Sequence, residues 1–179
     1  MRKKILLTLL CSASLSTLQA QHRAVPAADS TETLYEKFLL ADDLLRFAEN
    51  HLHRRYRAGG TSPSGFDCSG FVRYCFQRFG VALPHSSAAQ GKLGREVSRA
   101  NARPGDLIFF KGSSTQGSRI GHVGIVTEVR DGTIRFIHSA WNGGVRFDLT
   151  SSAYYQQRFV SIRRVAGWLG TWSAQADSH

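Results

Sequence analysis

The hydrophobic period changes once along this chain, and that change restricts the folds open to it. Up to Gly80 the apolar residues recur at three- and four-residue spacing, and from Asp106 they alternate or run together in segments of strand length. The first pattern belongs to amphipathic helices, the second to half-buried or fully buried strands. Helices first and strands afterwards indicate an α+β domain with an antiparallel sheet. The 179 residues, 42% of them hydrophobic, suffice for one such core and not comfortably for two. The same composition excludes a disordered chain.

A helical pattern begins at Thr31 and carries Leu44, Leu45, Ala48 and Leu52, with Asp42 and Asp43 near a plausible start. It is predicted to end near Arg54-Arg55-Tyr56, ahead of a Gly-rich loop over 59–65. A second helix opens at Cys68, where Phe71, Val72, Cys75, Phe76 and Phe79 form one apolar stripe and Gly80 ends it. Strands are predicted over 106–110, 121–129, 133–140 and 158–165. There are no internal repeats.

Residues 1–20 have the order of a secretory leader: Arg2, Lys3 and Lys4, then a short apolar run, then Leu18-Gln19-Ala20 as a cleavage site. The apolar run is well short of the roughly 20 residues a membrane span needs, so no transmembrane anchor is expected in the mature chain. A lipoprotein signal at Cys11 would need a small residue before it, where Leu10 stands. The expected organisation is a leader over 1–20, an N-terminal segment over 21–40, one catalytic domain over 41–166 and a tail over 167–179. Loss of the leader leaves 20 basic against 13 acidic residues, a net charge of +7. An exported basic protein suits polyanionic surfaces such as bacterial envelopes. Nucleic acid is not an expected partner, because the basic residues are scattered and no recognised nucleic-acid motif accompanies them.

Two cysteines in an oxidising compartment suggest a disulfide. Cys68 and Cys75 lie seven residues apart on one predicted helix, about 10 Å along its axis, which is too far to bridge. Cys75 sits on the apolar stripe and reads as core. Cys68 sits in Asp67-Cys68-Ser69-Gly70-Phe71, after the Gly-rich loop and at a helix N-terminus. The partial positive charge and free N–H groups there stabilise a thiolate and could hold an oxyanion. Gly59, Gly60 and Gly65 would let a substrate approach the backbone.

A nucleophilic thiol needs a base. His51 and His53 fall at a helix end beside Arg54 and Arg55 and read as solvated, and His85 follows Pro84 in a loop. His122 and His138 stand inside otherwise apolar strands. A two-residue Asp131-Gly132 hairpin loop would point them to opposite sheet faces, whereas a three-residue Arg130-Asp131-Gly132 loop puts both on one face with Gly124 opposite His138. The three-residue loop is therefore predicted. The resulting assignment is Cys68 as nucleophile, His122 as base and His138 as the group that holds the His122 ring. Zinc binding by these three is disfavoured because no close-spaced ligand pair supports it. The chemistry calls for no cofactor.

Several blocks in order carry a resemblance: Tyr56-Arg57-Ala58-Gly59-Gly60-Thr61, Phe66-Asp67-Cys68-Ser69-Gly70-Phe71-Val72, Leu83-Pro84-His85-Ser86-Ser87, Arg103-Pro104-Gly105-Asp106-Leu107, Gly121-His122-Val123-Gly124 and Phe136-Ile137-His138-Ser139-Ala140. The chain resembles the NlpC family of cell-wall cysteine peptidases, most of all its Spr-type murein endopeptidases. The resemblance implies a papain-like fold, with helices packed on a central antiparallel sheet and the catalytic cysteine at a helix N-terminus. It implies that Cys68, His122 and His138 are catalytic, that Tyr56 lies beside the thiolate, and that Asp67 and Ser69 help bind peptide. From the residues alone Asp67 is only a possible helix cap, and Asp106 reads as structural. The implied substrate is peptidoglycan, cut at the D-alanyl–diaminopimelate cross-link or at the γ-D-glutamyl–diamino acid bond, by a monomer in the periplasm or cell envelope. Members that cut the second bond often carry SH3-like domains, for which this chain has no room, and this favours the cross-link. The chain departs from the family in carrying His85 where Arg is usual after Leu-Pro, and in a longer polar loop over 112–120. A Cys–His acyltransferase would want an apolar groove or an anchor. An inactive wall-binding module would not need the three intact groups.

Overall fold

The computed structural model describes residues 30–112 and 116–165. The leader, the segment up to residue 29 and the tail therefore lie outside the described residues. The chain begins with helix α1 (Ser30–Glu49), passes through the small strands β1 (Thr61–Ser62) and β2 (Gly65–Phe66), and enters helix α2 (Cys68–Gln77). A short helix α3 (Ser87–Gln90), strand β3 (Arg95–Val97) and a 3-10 turn follow. The second half holds β4 (Leu107–Lys111), β5 (Ile120–Arg130), β6 (Thr133–Ala140), β7 (Gly144–Leu149), helix α4 (Ala153–Arg158) and β8 (Phe159–Arg164). The large sheet has the order β3-β8-β4-β5-β6-β7, and every neighbouring pair in it is antiparallel. The expected α+β architecture, helices against a central antiparallel sheet, is present.

The two faces of the sheet pack differently. On one face the α2 stripe of Phe71, Val72, Cys75 and Phe76 is fully buried against Leu107, Phe109, Val123, Ile125, Ile137 and Val145. Leu44, Leu45 and Ala48 of α1 close this core from outside. On the other face Ile108, Phe110, Val126, Ile134, Phe136 and Ile162 gather with Tyr155 of α4. Burial of a large apolar side chain contributes about 1.5–3 kcal/mol, so strand alternation and the α2 stripe together fix which face each residue takes. Cys75 is a free, fully buried core residue, as its place on the stripe implies.

Three local expectations need correction. The first helix starts at Ser30, one residue before the pattern expected from Thr31 and well ahead of Asp42 and Asp43, but it ends at Glu49 and not near Arg54 to Tyr56, because after Leu52 the chain must turn, with His53 in the left-handed region at φ 67°. His51 is not solvated. It is buried, its Nδ1 lies 2.8 Å from the Phe47 carbonyl, and its ring packs against Phe66 and Tyr74. Gly60 does not open the backbone to a ligand, because the space its Cβ would need is taken by the carbonyls of Gly65 and Arg57. Asp106 is structural, as read: it takes Arg164 through both oxygens at 2.7 and 2.8 Å and the Arg103 N–H at 2.8 Å.

Candidate active site

Asp67 stands in extended conformation immediately before α2 and caps it, accepting the Gly70 N–H at 2.6 Å. The same oxygen accepts the Ser69 hydroxyl at 3.1 Å. The second oxygen lies 2.8 Å from Nε2 of His85, which makes His85 a partner of the residue beside Cys68 rather than a loop residue without contact. Gln90, fully buried, donates to the Ser69 carbonyl at 3.1 Å and to the Pro84 carbonyl at 2.8 Å, tying the first turn of α2 to the His85 loop. Gly70 is required here because a Cβ would collide with the Gly60 carbonyl.

Cys68 therefore opens α2 with its sulfur facing backbone N–H groups of Val123, Ser69 and itself, all of which favour thiolate. Burial pushes the thiol up first and the Asp67 carboxylate adds to this, and together they outweigh the N–H groups. The stabilisation expected from the helix terminus is present but does not prevail. The desolvation cost of a buried anion wins, and the proton must be taken by a partner. Tyr56 bridges Phe66 at the loop leading to α2. Burial, then the Cys68 and Asp67 charges, raise its hydroxyl, so it stays a donor.

The histidines share a sheet face, by a route that differs from the predicted one. The hairpin loop is the two-residue one: Arg130 pairs with Thr133, and Asp131 and Gly132 both take positive φ, 50° and 74°, as a type I′ turn demands. A bulge at Thr127 then inserts one residue between the Val126–Phe136 and Glu128–Arg135 pairs. The Thr127 hydroxyl donates to the Arg135 carbonyl at 3.1 Å. From the bulge onward the register is the one a three-residue loop would have produced. Gly124 faces His138, where a Cβ would lie 3.2 Å from the His138 Cβ and 2.9 Å from Phe136.

His122 Nε2 and His138 Nδ1 are 2.7 Å apart, with the rings perpendicular. His138 is fully buried and its Nε2 lies 2.9 Å from Asp148 Oδ2. That oxygen also accepts the Tyr155 hydroxyl at 2.7 Å and Arg146 Nε at 3.0 Å. Burial alone would raise the Asp148 carboxyl, but bonds from His138, Tyr155 and Arg146 bring it down to about 2. Burial holds both imidazoles below their ordinary range; His138 adds to this for His122, and Asp148 opposes it in both rings. The protons follow in sequence. The carboxylate accepts, so His138 carries its proton on Nε2 and offers a lone pair at Nδ1. His122 then carries its proton on Nε2, which leaves Nδ1 as a free base.

Cys68 and the histidine strands are stapled together by a fully buried bond, Ser139 Oγ to the Phe66 carbonyl at 2.8 Å. Arg146, Asp148 and Tyr155 are the site residues that the sequence reading missed. A signal existed for the first two: Asn142-Gly143 is a hairpin turn pair, and Val145, Phe147 and Leu149 alternate with Arg146 and Asp148. Among the described residues no group of three or more His, Cys, Asp or Glu side chains could hold a metal ion. Among them, too, no helix is long and apolar enough to cross a membrane.

Comparison with known proteins bears on the family and the fold. The model of the NlpC/P60 family matches residues 53–164. The Escherichia coli (strain K12) protein named murein DD-endopeptidase MepS/murein LD-carboxypeptidase is 40% identical over 112 residues, covering 62% of this chain and 55% of that protein. The gamma-DL-glutamyl hydrolase of Bacillus subtilis is 38% identical over 119 residues, covering 65% of this chain and 27% of that protein. The chain thus spans about half, or less, of the length of these relatives. Among solved structures, an NlpC/P60 family protein from Bacillus cereus superposes with a TM-score of 0.62 at 31% identity, covering 71% of this chain and 40% of that one. That family model covers more than half of the chain, and the chain belongs to the NlpC/P60 family.

Proposed function

We propose that this protein is an exported cysteine endopeptidase that hydrolyses amide bonds in the peptide part of peptidoglycan. The observation that carries the reading is the chain His122–His138–Asp148, which leaves Nδ1 of His122 as a free base. Helix α2, which Cys68 opens, packs against β5, the strand that carries His122, and the backbone N–H of Val123, the residue after His122, favours the Cys68 thiolate. In this mechanism His122 Nδ1 takes the Cys68 proton as the sulfur attacks the amide carbonyl. The tetrahedral oxyanion is held by N–H groups at the start of α2. The imidazolium then protonates the leaving amine, and the C–N bond breaks to leave a thioester on Cys68. Water, deprotonated by His122, hydrolyses the thioester. His138 orients the His122 ring and, with Asp148 behind it, stabilises the imidazolium. Tyr56, Asp67 and Ser69 line the acyl side and bind peptide there.

Within murein we favour the D-alanyl–diaminopimelate cross-link, a reading supported by the DD-endopeptidase in the name of the Escherichia coli relative. A second reading, cleavage at γ-D-glutamyl bonds, is supported by the name of the Bacillus subtilis relative. Digestion of purified sacculi with mass analysis separates the two. Release of monomers from cross-linked dimers supports the first reading, and stems ending at D-glutamate support the second. No change in either, with Cys68→Ala behaving as the parent, overturns the peptidase reading.

A further inference from the structure

His85 has no part in the Cys68–His122–His138 assignment, yet it is bonded to the residue next to the nucleophile. The segment that carries it is fixed on both sides. Leu83 is buried in the core that holds the α2 stripe. Ser86 caps α3, accepting the Ala89 N–H at 3.3 Å. Fully buried Gln90 then ties the segment to α2 through the Pro84 and Ser69 carbonyls. His85 is thereby held against the start of α2.

Its Nε2 lies 2.8 Å from Asp67 Oδ2, with 27% of the His85 side chain and 15% of the Asp67 side chain exposed. A carboxylate only accepts, so this nitrogen carries a proton. Oδ1 of the same carboxylate takes the Gly70 N–H and the Ser69 hydroxyl. Asp67 thus has one oxygen on the first turn of α2 and the other on His85. Its negative charge opposes ionisation of the Cys68 thiol, second only to burial, and also acts on the Tyr56 hydroxyl. A donor on Oδ2 draws that charge away from the sulfur, more strongly when the donor is itself charged.

The elements around α2 leave this role to His85. Helix α3 and strands β1 and β2 carry no titratable side chain. Helix α1 presents apolar Leu44, Leu45 and Ala48. Strands β5 and β6 bring His122 and His138, whose ionisation answers first to burial and then to Asp148 and Arg146 among their neighbours. We propose that His85 is a positioning residue for the nucleophile: it fixes the Asp67 carboxylate that caps α2 and offsets the charge that this carboxylate sets against the Cys68 thiolate. The proposal rests on the reading of Cys68 as nucleophile and deepens it, by adding a group that acts on the sulfur through the cap of its helix rather than through the base.

The test is the pH dependence of Cys68 alkylation by iodoacetamide, an uncharged reagent that needs no substrate. Trypsin cuts after Arg73, between Cys68 and the buried Cys75, so mass analysis reads the two thiols apart. His85→Ala removes the donor. It is expected to move the Cys68 profile up by about half a pH unit, which slows alkylation about threefold at neutral pH. His85→Arg keeps a donor that cannot lose its charge and is expected to move the profile to lower pH. His85→Gln, a neutral donor, should fall between the two. The kcat/KM on a soluble cross-linked muropeptide should drop by a similar factor in His85→Ala and be restored in His85→Arg. A role confined to packing would lower the plateau of each profile in step with melting temperature and leave its midpoint in place. Superposable midpoints in His85→Ala, His85→Arg and the parent overturn the proposal and leave the peptidase reading standing. Midpoints that move as expected, in a protein that leaves sacculi uncut, support the positioning role and overturn the peptidase reading instead.

Discussion

Replacing Asp148 by Asn removes one charge from the far end of the His122–His138 chain and leaves its shape almost unchanged. Oδ2 of Asp148 takes His138 at 2.9 Å, Tyr155 at 2.7 Å and Arg146 at 3.0 Å, and an amide oxygen in the same place can still accept from them. What is lost is the charge assistance. A hydrogen bond to a charged group is worth about 1.5–3 kcal/mol and a neutral one about 0.5–1.5, so the His138 contact weakens by about 1–2 kcal/mol. The imidazolium formed in the reaction feels that loss most, because the ground-state rings are neutral. The expected result is a fall of about 5- to 30-fold in kcat with KM little changed, measured on a soluble cross-linked muropeptide. A second readout separates positioning from damage. Asp148 raises both imidazoles, so the acid limb of the kcat/KM profile should move to lower pH in the variant. A structural defect would lower the whole profile without moving it. A kcat within about twofold of the parent, with circular dichroism unchanged, refutes the reasoning.

Gly124→Ala places a Cβ 2.9 Å from Phe136, 3.0 Å from the Ile137 carbonyl and 3.2 Å from the His138 Cβ. It should cost about 1–3 kcal/mol in urea unfolding and should lower kcat by moving His138. Ser139→Ala removes the staple to the Phe66 carbonyl; a loss of about 1 kcal/mol in stability with a larger proportional loss of activity is the outcome to look for. Stability should also fall with acid in two stages, read as melting temperature against pH. His122 and His138 are held below 6.5 in the folded state, so the unfolded chain binds more protons, and stability declines as pH drops below that value. Asp148 is depressed from 3.8 to about 2, so its contribution, present above the first value, is lost as pH falls toward the second. A melting temperature that stays flat from pH 7 to pH 5 would contradict the first stage.

The long elements could be read from sequence because their burial is one-sided or complete. The α2 stripe from Phe71 to Phe79 and the apolar runs of β4, β5 and β6 each leave a period that only one structure satisfies. The register of β5 and β6 shows the opposite case. Its result, two histidines on one face, followed from the chemistry assigned to them, but the device did not. A two-residue turn with a bulge and a three-residue turn give the same pairing at His138, and nothing local distinguishes Thr127 as the inserted residue. Strand β7 is absent from the predicted elements, and the polarity of its Arg146 and Asp148 has a reason that only the neighbouring His138 reveals. His51 was misread for the same kind of reason. Beside Arg54 and Arg55 it looks solvated, and the aromatic cluster that buries it comes from Phe66 and Tyr74, further along the chain.

The sheet order carries a consequence for how the protein is made. The last strand, β8, does not sit at the edge but between β3 and β4. A chain complete through β7 therefore has β4 unpaired on one side and β3 with no partner in the sheet. Such contacts span most of the domain and close late, after the entropy of a long loop has been met. The candidate site depends on that same sheet, because Phe110 of β4 pairs with His122 of β5 on one side and with Phe159 of β8 on the other. Docking of β8 therefore pairs the open edge of β4 and brings β3 into the sheet that carries both histidines.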